Sequence, residues 1–255
     1  MALFTDGPIS STSDLQAYEN GILVLASTEG IDLAGKIQIA QDDIGNQLLM
    51  FLLRRMPYQD FHWSQRRARG VSDVVVSASL KQWHVHYSLA LVYRDAYNNQ
   101  LNDRYKEKWN EYEQLAKRSR DACLATGVGI VAEPIARPAI PLLSSVAGTG
   151  LGGTFYVAIT CVNGGGQEGS PSDTASININ NGEQLAVAVF NPPSNAVGWN
   201  AYVGISPGAL SLQNQAPLGL DASWTQSGAL APGNLPGSGQ TPSWFVMDQK
   251  VAERG

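Results

Sequence analysis

The stretch from Ser79 to Thr126 constrains the fold most, because it contains neither glycine nor proline. Without these two helix breakers, a sequence of this length favours helix. One unbroken helix would span roughly 70 Å at about 1.5 Å per residue, more than the diameter of a small domain. We therefore predict two helices, with the break at Asn98-Asn99. The positions that recur at steps of three or four are Tyr97, Leu101, Tyr105, Trp109, Tyr112, Ala116 and Cys123.

The aromatic positions of this stretch allow two interpretations. A stripe of aromatic side chains along one helix face is typical of a buried core face. It is also what a stacking platform for nucleic acid or sugar would present. The sequence leaves both possibilities open.

Charge is distributed unevenly along the chain. Residues 1–137 hold 15 of the 17 lysines and arginines, whereas residues 144–243 hold none. The net charge of -5 does not favour a nucleic-acid binder. Two chemically different segments are joined in one chain, and we predict two domains.

The first domain is predicted to be helical. Residues 1–12 form an extended N-terminal arm, and residues 13–130 form a domain of three to four helices, one of them long. A capping box at Ser13 and Gln16 starts the first helix, which continues past Gly21. Asp32 caps the next helix, which ends near Arg54-Arg55 before Pro57.

The second domain is predicted to be all β. Residues 131–147 contain three prolines and form an extended linker. Between residues 148 and 242 the period changes to two, and turn signals recur about every 8 to 15 residues. This pattern indicates a small β-sandwich of about 100 residues. The fold class is thus α plus all-β in consecutive domains.

Three arginines, Arg66, Arg67 and Arg69, form a dense basic cluster in the stretch that precedes the long helical region. Such a loop can contact the phosphates of DNA. It can also be a solvated loop, or it can pair with carboxylates of a neighbouring subunit.

The C-terminal tail, residues 243–255, follows a stretch rich in proline and glycine. An apolar patch on a polar tether often docks on another surface. The alternative is that it folds back on its own sandwich. Its apolar residues are Trp244, Phe245, Val246 and Met247.

No convincing catalytic, cofactor or metal site emerges from the sequence. Gly148 to Gly153 resembles a phosphate-binding loop, but it lacks the Lys-Ser/Thr that follows one and it precedes a strand. We predict a flexible hinge there. His84 and His86 are two residues apart and therefore face different sides of a helix, which indicates structural histidines. The two cysteines, Cys123 and Cys161, fit buried apolar positions. We expect neither an enzyme nor a bound cofactor, and the sequence predicts neither a signal peptide nor a membrane span.

The second domain resembles the fibronectin type III-like or Ig-like domains of tailed-phage structural proteins. Three motifs carry the resemblance, in the same order as in those domains: a G-T-Y-Y-V strand, an E-G-x-P-S turn and a G-W-x-V-Y strand. Here they correspond to Gly153–Val157, Glu168–Ser172 and Gly198–Val203.

The helical domain is similar in architecture to phage head–tail adaptor (connector) proteins, although no motif can be carried over residue by residue. The resemblance implies a dodecameric ring between the portal protein and a tail or nozzle protein. DNA would pass through its channel without sequence-specific binding. The arm and the tail would grip the portal, and the protein would reside in the neck of the virion after assembly in the host cytoplasm. The appended sandwich departs from the smallest adaptors.

A second hypothesis makes the chain a virion-anchored module that binds a glycan or a cell-wall polymer, or another decoration of the neck or tail. It requires an exposed row of aromatics from Trp199, Tyr202 and Trp224. However, the alternation of the strand places Trp199 on the same face as Val203, so we expect Trp199 in the core.

Overall fold

The computed structural model describes residues 1–55, 69–150 and 152–248. The chain forms two compact units. The helical unit contains Gly7–Ile130 and the residues from Pro242 onward, and the β unit contains Met1–Asp6 and Val131–Thr241. The predicted fold class, a helical domain followed by an antiparallel β domain, is confirmed.

The described part of the helical unit contains five α-helices rather than three to four. The additional helix arises because the segment predicted as one helix is interrupted at residues 19–21, where Gly21 starts a second helix without a side-chain cap. The helices are α1 (Thr12–Tyr18), α2 (Ile22–Glu29), α3 (Leu33–Arg55), α4 (Ala78–Gln100) and α5 (Asp103–Thr126), with a short 3₁₀ turn at Val71–Asp73 before α4.

The first helix begins two residues earlier than predicted. Ser11, not Ser13, is the N-cap, and the Asp14 backbone N–H donates to its hydroxyl at 3.3 Å. The Asp14 carboxylate accepts in return from the Ser11 backbone N–H at 2.8 Å. The sequence misled us because Asp14 takes the reciprocal role that we assigned to Gln16.

The long helical stretch is divided into two helices, as predicted, but the break lies at Leu101 rather than at Asn98-Asn99. Leu101 adopts a left-handed conformation with φ of 51° and ends α4. Asn102 then caps α5, because its side chain accepts from the Arg104 backbone N–H at 3.0 Å. The two-residue link joins α4 and α5 as a hairpin.

The aromatic stripe is a core face. Tyr93 of α4 stacks on Tyr112 of α5 with 5.6 Å between ring centroids, and Tyr97 stacks on Trp109 at 6.2 Å. Tyr112 is buried in the same apolar cluster as Leu89. The aromatic rings join the two helices, so they are not a free stacking platform.

Nine strands follow one another in the described part of the chain, and two of them belong to the helical unit. These two are β1 (Val128–Ile130) and β9 (Trp244–Val246). The strands of the β unit are β2 (Leu142–Ala147), β3 (Gly153–Asn163), β4 (Ala175–Ile179), β5 (Glu183–Ala188), β6 (Ala196–Gly204), β7 (Ser211–Leu212) and β8 (Ser223–Thr225).

The β unit consists of two antiparallel sheets. One has the strand order β2-β5-β8, and the other has the order β4-β3-β6-β7. The central strands β3 and β6 pair along most of their lengths. The sheets thus carry the alternating apolar positions that the sequence showed.

The core of the β unit forms around Trp199, which is fully buried as predicted. Its indole N–H donates to the carbonyl of Gly219 at 3.1 Å, which satisfies the only polar atom of the ring. Ile135, from the proline-rich segment, is buried in this core. The linker prediction is wrong at its end, since residues 142–147 form β2. The nearby prolines obscured this strand in the sequence.

Among the described residues, no helix is long and apolar enough to cross a membrane.

The left-handed Leu101 gives a testable prediction. Replacing Leu101 with Gly is expected to stabilise the helical unit by about 1 kcal/mol, because a left-handed residue with a Cβ is strained and glycine is not. The side chain is largely exposed, so little packing is lost. Urea unfolding followed by helical circular dichroism measures the change.

The matched control is Gln114→Gly, at an exposed position inside α5. It should destabilise the same unit by about 1 kcal/mol. Equal effects of the two substitutions would contradict the role of Leu101.

Candidate interaction surfaces

The C-terminal tail forms a strand in the helical unit. β9 pairs antiparallel with β1, with Val128 opposite Val246 and Ile130 opposite Trp244. The Asp248 backbone N–H donates to the carbonyl of Leu124 at 2.9 Å. The described part of the tail is therefore a strand beside β1.

Strand β1 is paired on both sides. Opposite β9, the Val75 backbone N–H donates to the carbonyl of Gly129 at 3.0 Å. A Cβ on Gly129 would lie 2.8 Å from side-chain atoms of both Val75 and Pro242. Only glycine lets both neighbours approach β1 this closely.

Two predicted candidates meet at the tail. The Arg69 guanidinium lies over the Trp244 ring, 5.1 Å from its centroid. Arg55 forms an ion pair with Asp248 at the other end of the strand. Arg66 and Arg67 lie outside the described residues. Arg69 thus has an aromatic partner within its own chain, a cation–π contact.

The predicted docking residues differ in exposure. Val246 is buried, whereas Phe245 and Met247 are about half exposed. Trp244 is partly buried. The tail therefore presents Phe245 and Met247 to its surroundings.

The N-terminal arm is not extended throughout, because the Asp6 backbone N–H donates to the carbonyl of Leu3 at 3.1 Å and closes a turn. The apolar side chains of Leu3, Phe4 and Ile9 are all buried. The Ile9 backbone N–H donates to the Gln41 side chain at 3.1 Å. In this structure the arm is packed rather than free.

An apolar face of α3 is a surface that sequence reasoning missed. Ile44 and Leu48 point into the core, whereas the opposite face of the helix exposes large apolar side chains. The signal was the run Leu48 to Leu53, which is six consecutive apolar residues and therefore cannot lie entirely on one face. We call Ile39, Leu49, Met50 and Leu53 the α3 surface; they are 38–61% exposed.

A second apolar surface lies on α2. Leu23 and Val24 are 42% and 72% exposed. We call these two residues the α2 surface. The helical unit thus carries apolar surfaces on two different helices.

The aromatics of the sandwich do not form an exposed row. Trp199 and Tyr202 are buried, and Trp224 packs partly against the core. The Tyr202 hydroxyl donates to the Glu168 carboxylate at 2.7 Å, and Asn200 donates to the same oxygen at 2.9 Å. Burial and then this hydrogen bond raise the pKa of Tyr202. The cluster joins β6 to the turn that carries Glu168, so its role is structural.

The glycine-rich segment lines a pocket of about 640 Å³ in the β unit. The Gly148 N–H donates to the carbonyl of Gly182 and the Gly152 N–H to the Asn181 side chain, so neither is available to a phosphate. The segment precedes β3, as predicted, and supplies no helix N-terminus. The polar side chains at the pocket are uncharged: Thr149, Thr154, Gln184 and Gln226.

The histidines are structural. The His84 Nε2–H donates to the carbonyl of Ile37 at 3.0 Å, so Nδ1 accepts from the Ser10 hydroxyl at 2.7 Å. His86 bonds to Ser119 at 2.8 Å. Burial lowers the pKa of His84 to about 4.

The two cysteines, Cys123 and Cys161, are buried free thiols, as predicted. Within the described ranges, no group of three potential ligands could hold a metal.

Comparison of the chain with protein-family models and with curated proteins finds no match.

His84 gives a pH prediction. Its pKa in the folded protein, about 4, lies below the ordinary histidine value of 6.5, so unfolding takes up a proton between these values. The stability of the helical unit is complete above pH 6.5 and is expected to fall as the pH drops toward 4. The loss is about 1.4 kcal/mol per pH unit at most. Urea titrations at several pH values measure it.

His84→Gln should remove this part of the pH dependence. His86→Gln should retain the part that comes from His84 and lose only a part of its own, because burial also lowers the pKa of His86. An unchanged slope in His84→Gln would contradict the assignment.

The tail gives a third prediction. A chain that ends at Ser243 loses β9, the burial of Val246 and the Arg55–Asp248 ion pair. It should lose about 2 kcal/mol or more of helical-unit stability. Urea unfolding followed by helical circular dichroism measures the loss. A chain that ends at Asp248 keeps these contacts and is the control. Equal stability of the two truncated chains would show that β9 does not hold the unit together.

Proposed function

We propose that this chain is a non-enzymatic assembly protein, a head–tail adaptor that forms a ring between portal and tail in a phage neck. The observation that carries the proposal is the pair of apolar surfaces on α2 and α3. Exposed apolar patches of this kind mark protein–protein contacts. The motif resemblance of the sandwich supports the virion context.

The two surfaces suit the geometry of a ring. A closed ring needs a head-to-tail contact, in which one patch of each copy meets a different patch of the next. We assign the α3 surface of one copy to the α2 surface of its neighbour. Burying Met50, Leu53 and Val24 in this way would supply apolar free energy at every contact.

The tail contributes a further contact in this proposal. Phe245 and Met247 are half exposed beside β1 and would meet the portal protein. Docking would then use the outer side of an ordered strand, rather than a free tail that folds on binding. The arm is packed against its own chain, so we assign the grip on the portal to the tail alone.

The net charge of the chain is compatible with a channel through which DNA slides. The net charge of -5 disfavours tight binding to phosphate, and Arg69 lies over Trp244. The charge-poor sandwich would decorate the neck.

The alternative is a module that binds a neutral glycan. Burial of Trp199 and Tyr202 removes the aromatic row on which it relied. One observation still favours it, the pocket with Gln184 and Gln226 beside the glycine-rich segment, since these side chains can bond hydroxyl groups.

The test of the ring measures the mass of the full chain alone and mixed with portal rings. We expect fixed-stoichiometry binding to portals. Met50→Glu with Leu53→Glu, and separately Val24→Glu, should each abolish self-assembly without unfolding the chain, because these side chains are exposed. Val197→Glu, at an exposed position of β6, is the control and should assemble normally.

Mixing the two kinds of variant sharpens the test. One chain keeps an intact α2 surface and the other an intact α3 surface, so a single contact remains. The mixture should give heterodimers and no ring. The Phe245→Glu variant should still form the ring but should no longer bind portal rings. Failure of the native chain to join portals, together with glycan binding by the β unit, would overturn the adaptor in favour of the alternative.

A further inference from the structure

Strand β2 lies at the edge of its sheet. It pairs with β5 over its whole length, from Leu142 opposite Ala188 to Ala147 opposite Glu183, without a shift of register. Within the described parts of the chain, no strand pairs with its other edge. Its outer N–H and C=O groups therefore remain available to another strand.

The usual protections of an edge strand are missing from β2. Natural edges are short, charged, bulged or interrupted by proline. The other edges follow this pattern in part, because β7 has two residues and β8 has three. By contrast, β2 has six residues, LLSSVA, with no charge, proline or bulge.

The outer face of β2 is also unusually apolar. Leu143 packs against the core, and alternation therefore turns Leu142, Ser144 and Val146 outward. Leu142 and Val146 are 55% and 38% exposed. On the edge strand β4, by comparison, the exposed residues are Ser176 and Asn178. Only β2 of these two edges presents large apolar side chains.

We infer that β2 pairs antiparallel with β2 of a second copy of this chain, about a two-fold axis at Ser144. Such an axis stands perpendicular to the sheet, so outward residues of one copy meet outward residues of the other. Leu142 then lies opposite Val146 of the second copy, and Ser144 opposite Ser144. The two apolar residues are equally spaced about Ser144, which makes the strand complementary to itself.

The lack of charge favours the second copy over other strands. A two-fold axis places residues near their own duplicates, so a charge close to the axis would be repelled by its copy. Residues 138–149 contain no charged residue. The pairing would join the two three-stranded sheets into one continuous six-stranded sheet.

This contact is separate from the proposed ring. A two-fold contact is saturated by two copies and cannot itself extend into a ring, whereas the contact between the α2 and α3 surfaces is head-to-tail. One strand pair buries less than the roughly 1,200 Å² of a standard stable interface. We therefore expect a dimer whose population depends on concentration.

The test is sedimentation equilibrium of the full chain over a wide concentration range. It is carried out on the native chain and on the double variant Met50→Glu, Leu53→Glu. Because the double variant lacks the α3 surface, it tests the β2 contact whether or not the proposed ring forms. Leu142→Lys alone and Val146→Glu alone should each weaken the dimer about tenfold, since each alters two cross-strand pairs. Both substitutions in one chain should restore it in a salt-sensitive form, because the two introduced side chains carry opposite charges and face each other across the axis.

Ser176→Lys, at an exposed position of β4, is the matched control and should leave the dimer unchanged. A second readout is Ser144→Cys, which should form a disulfide-linked dimer when a chemical oxidant is added, whereas Ser176→Cys should not. Both native cysteines are buried and do not compete.

A chain that remains monomeric at every concentration in the Met50→Glu, Leu53→Glu background, with no crosslink in the Ser144→Cys variant, overturns the inference. So does a dimer that the single charge changes do not weaken, or one that the double change does not restore. In those cases a strand of another protein, or none, covers β2.

Discussion

The helical unit depends on one short strand with partners on both sides. β1 follows α5 directly, receives a hydrogen bond from Val75 on one side and pairs with β9 on the other. Gly129 makes this possible, because a Cβ would strike Val75 and Pro242. The chain leaves this unit after Ile130, builds the sandwich and returns at Pro242. The main segment of the β unit, Val131–Thr241, is therefore inserted between two parts of the helical unit. The last described residues complete a structure that the first half of the chain begins.

The same arrangement changes the view of the tail. A segment that looks like a free docking peptide in the sequence is held by backbone pairing, by a buried Val246 and by the contacts of Arg55 and Arg69. What it offers to a partner is one side of an ordered strand. An ordered segment loses less conformational entropy on binding than a disordered one, so its contacts contribute more fully to affinity.

Two surface features favour association of this chain with further copies of itself. The α3 helix has more apolar residues than its buried face can hold, and β2 is an unprotected edge with an apolar outer face. In a monomer each would favour aggregation. Both are explained if other copies cover them, the first by a head-to-tail contact and the second by a two-fold contact. These are independent arguments, since they come from different units and predict different symmetries.

Local sequence determined the element types and the broad division of the chain. The absence of breakers and the spacing of Tyr97, Trp109 and Tyr112 were enough for two long helices with a shared aromatic face. The alternation around Trp199 was enough to place it in a core. Errors occurred where neighbouring residues compete for one role, as at Ser11 and Ser13, or where prolines hide a strand, as at β2. In each case the two alternative local structures differ by only a few hydrogen bonds. A pattern of residue types does not distinguish between alternatives so close in free energy.

Tertiary structure alone decided which distant residues meet. Arg69 and Trp244 were both candidates, but nothing in the sequence relates two residues so far apart until β9 pairs with β1. The exposed faces of α3 and β2 were equally hidden, because exposure depends on which neighbours the fold supplies. The period of the apolar residues indicates whether a segment prefers helix or strand. It relates only side chains that are close in sequence, one helical turn or two strand residues apart. Pairing across the whole chain is determined by burial and backbone hydrogen bonding, which exist only once the fold has brought the segments together.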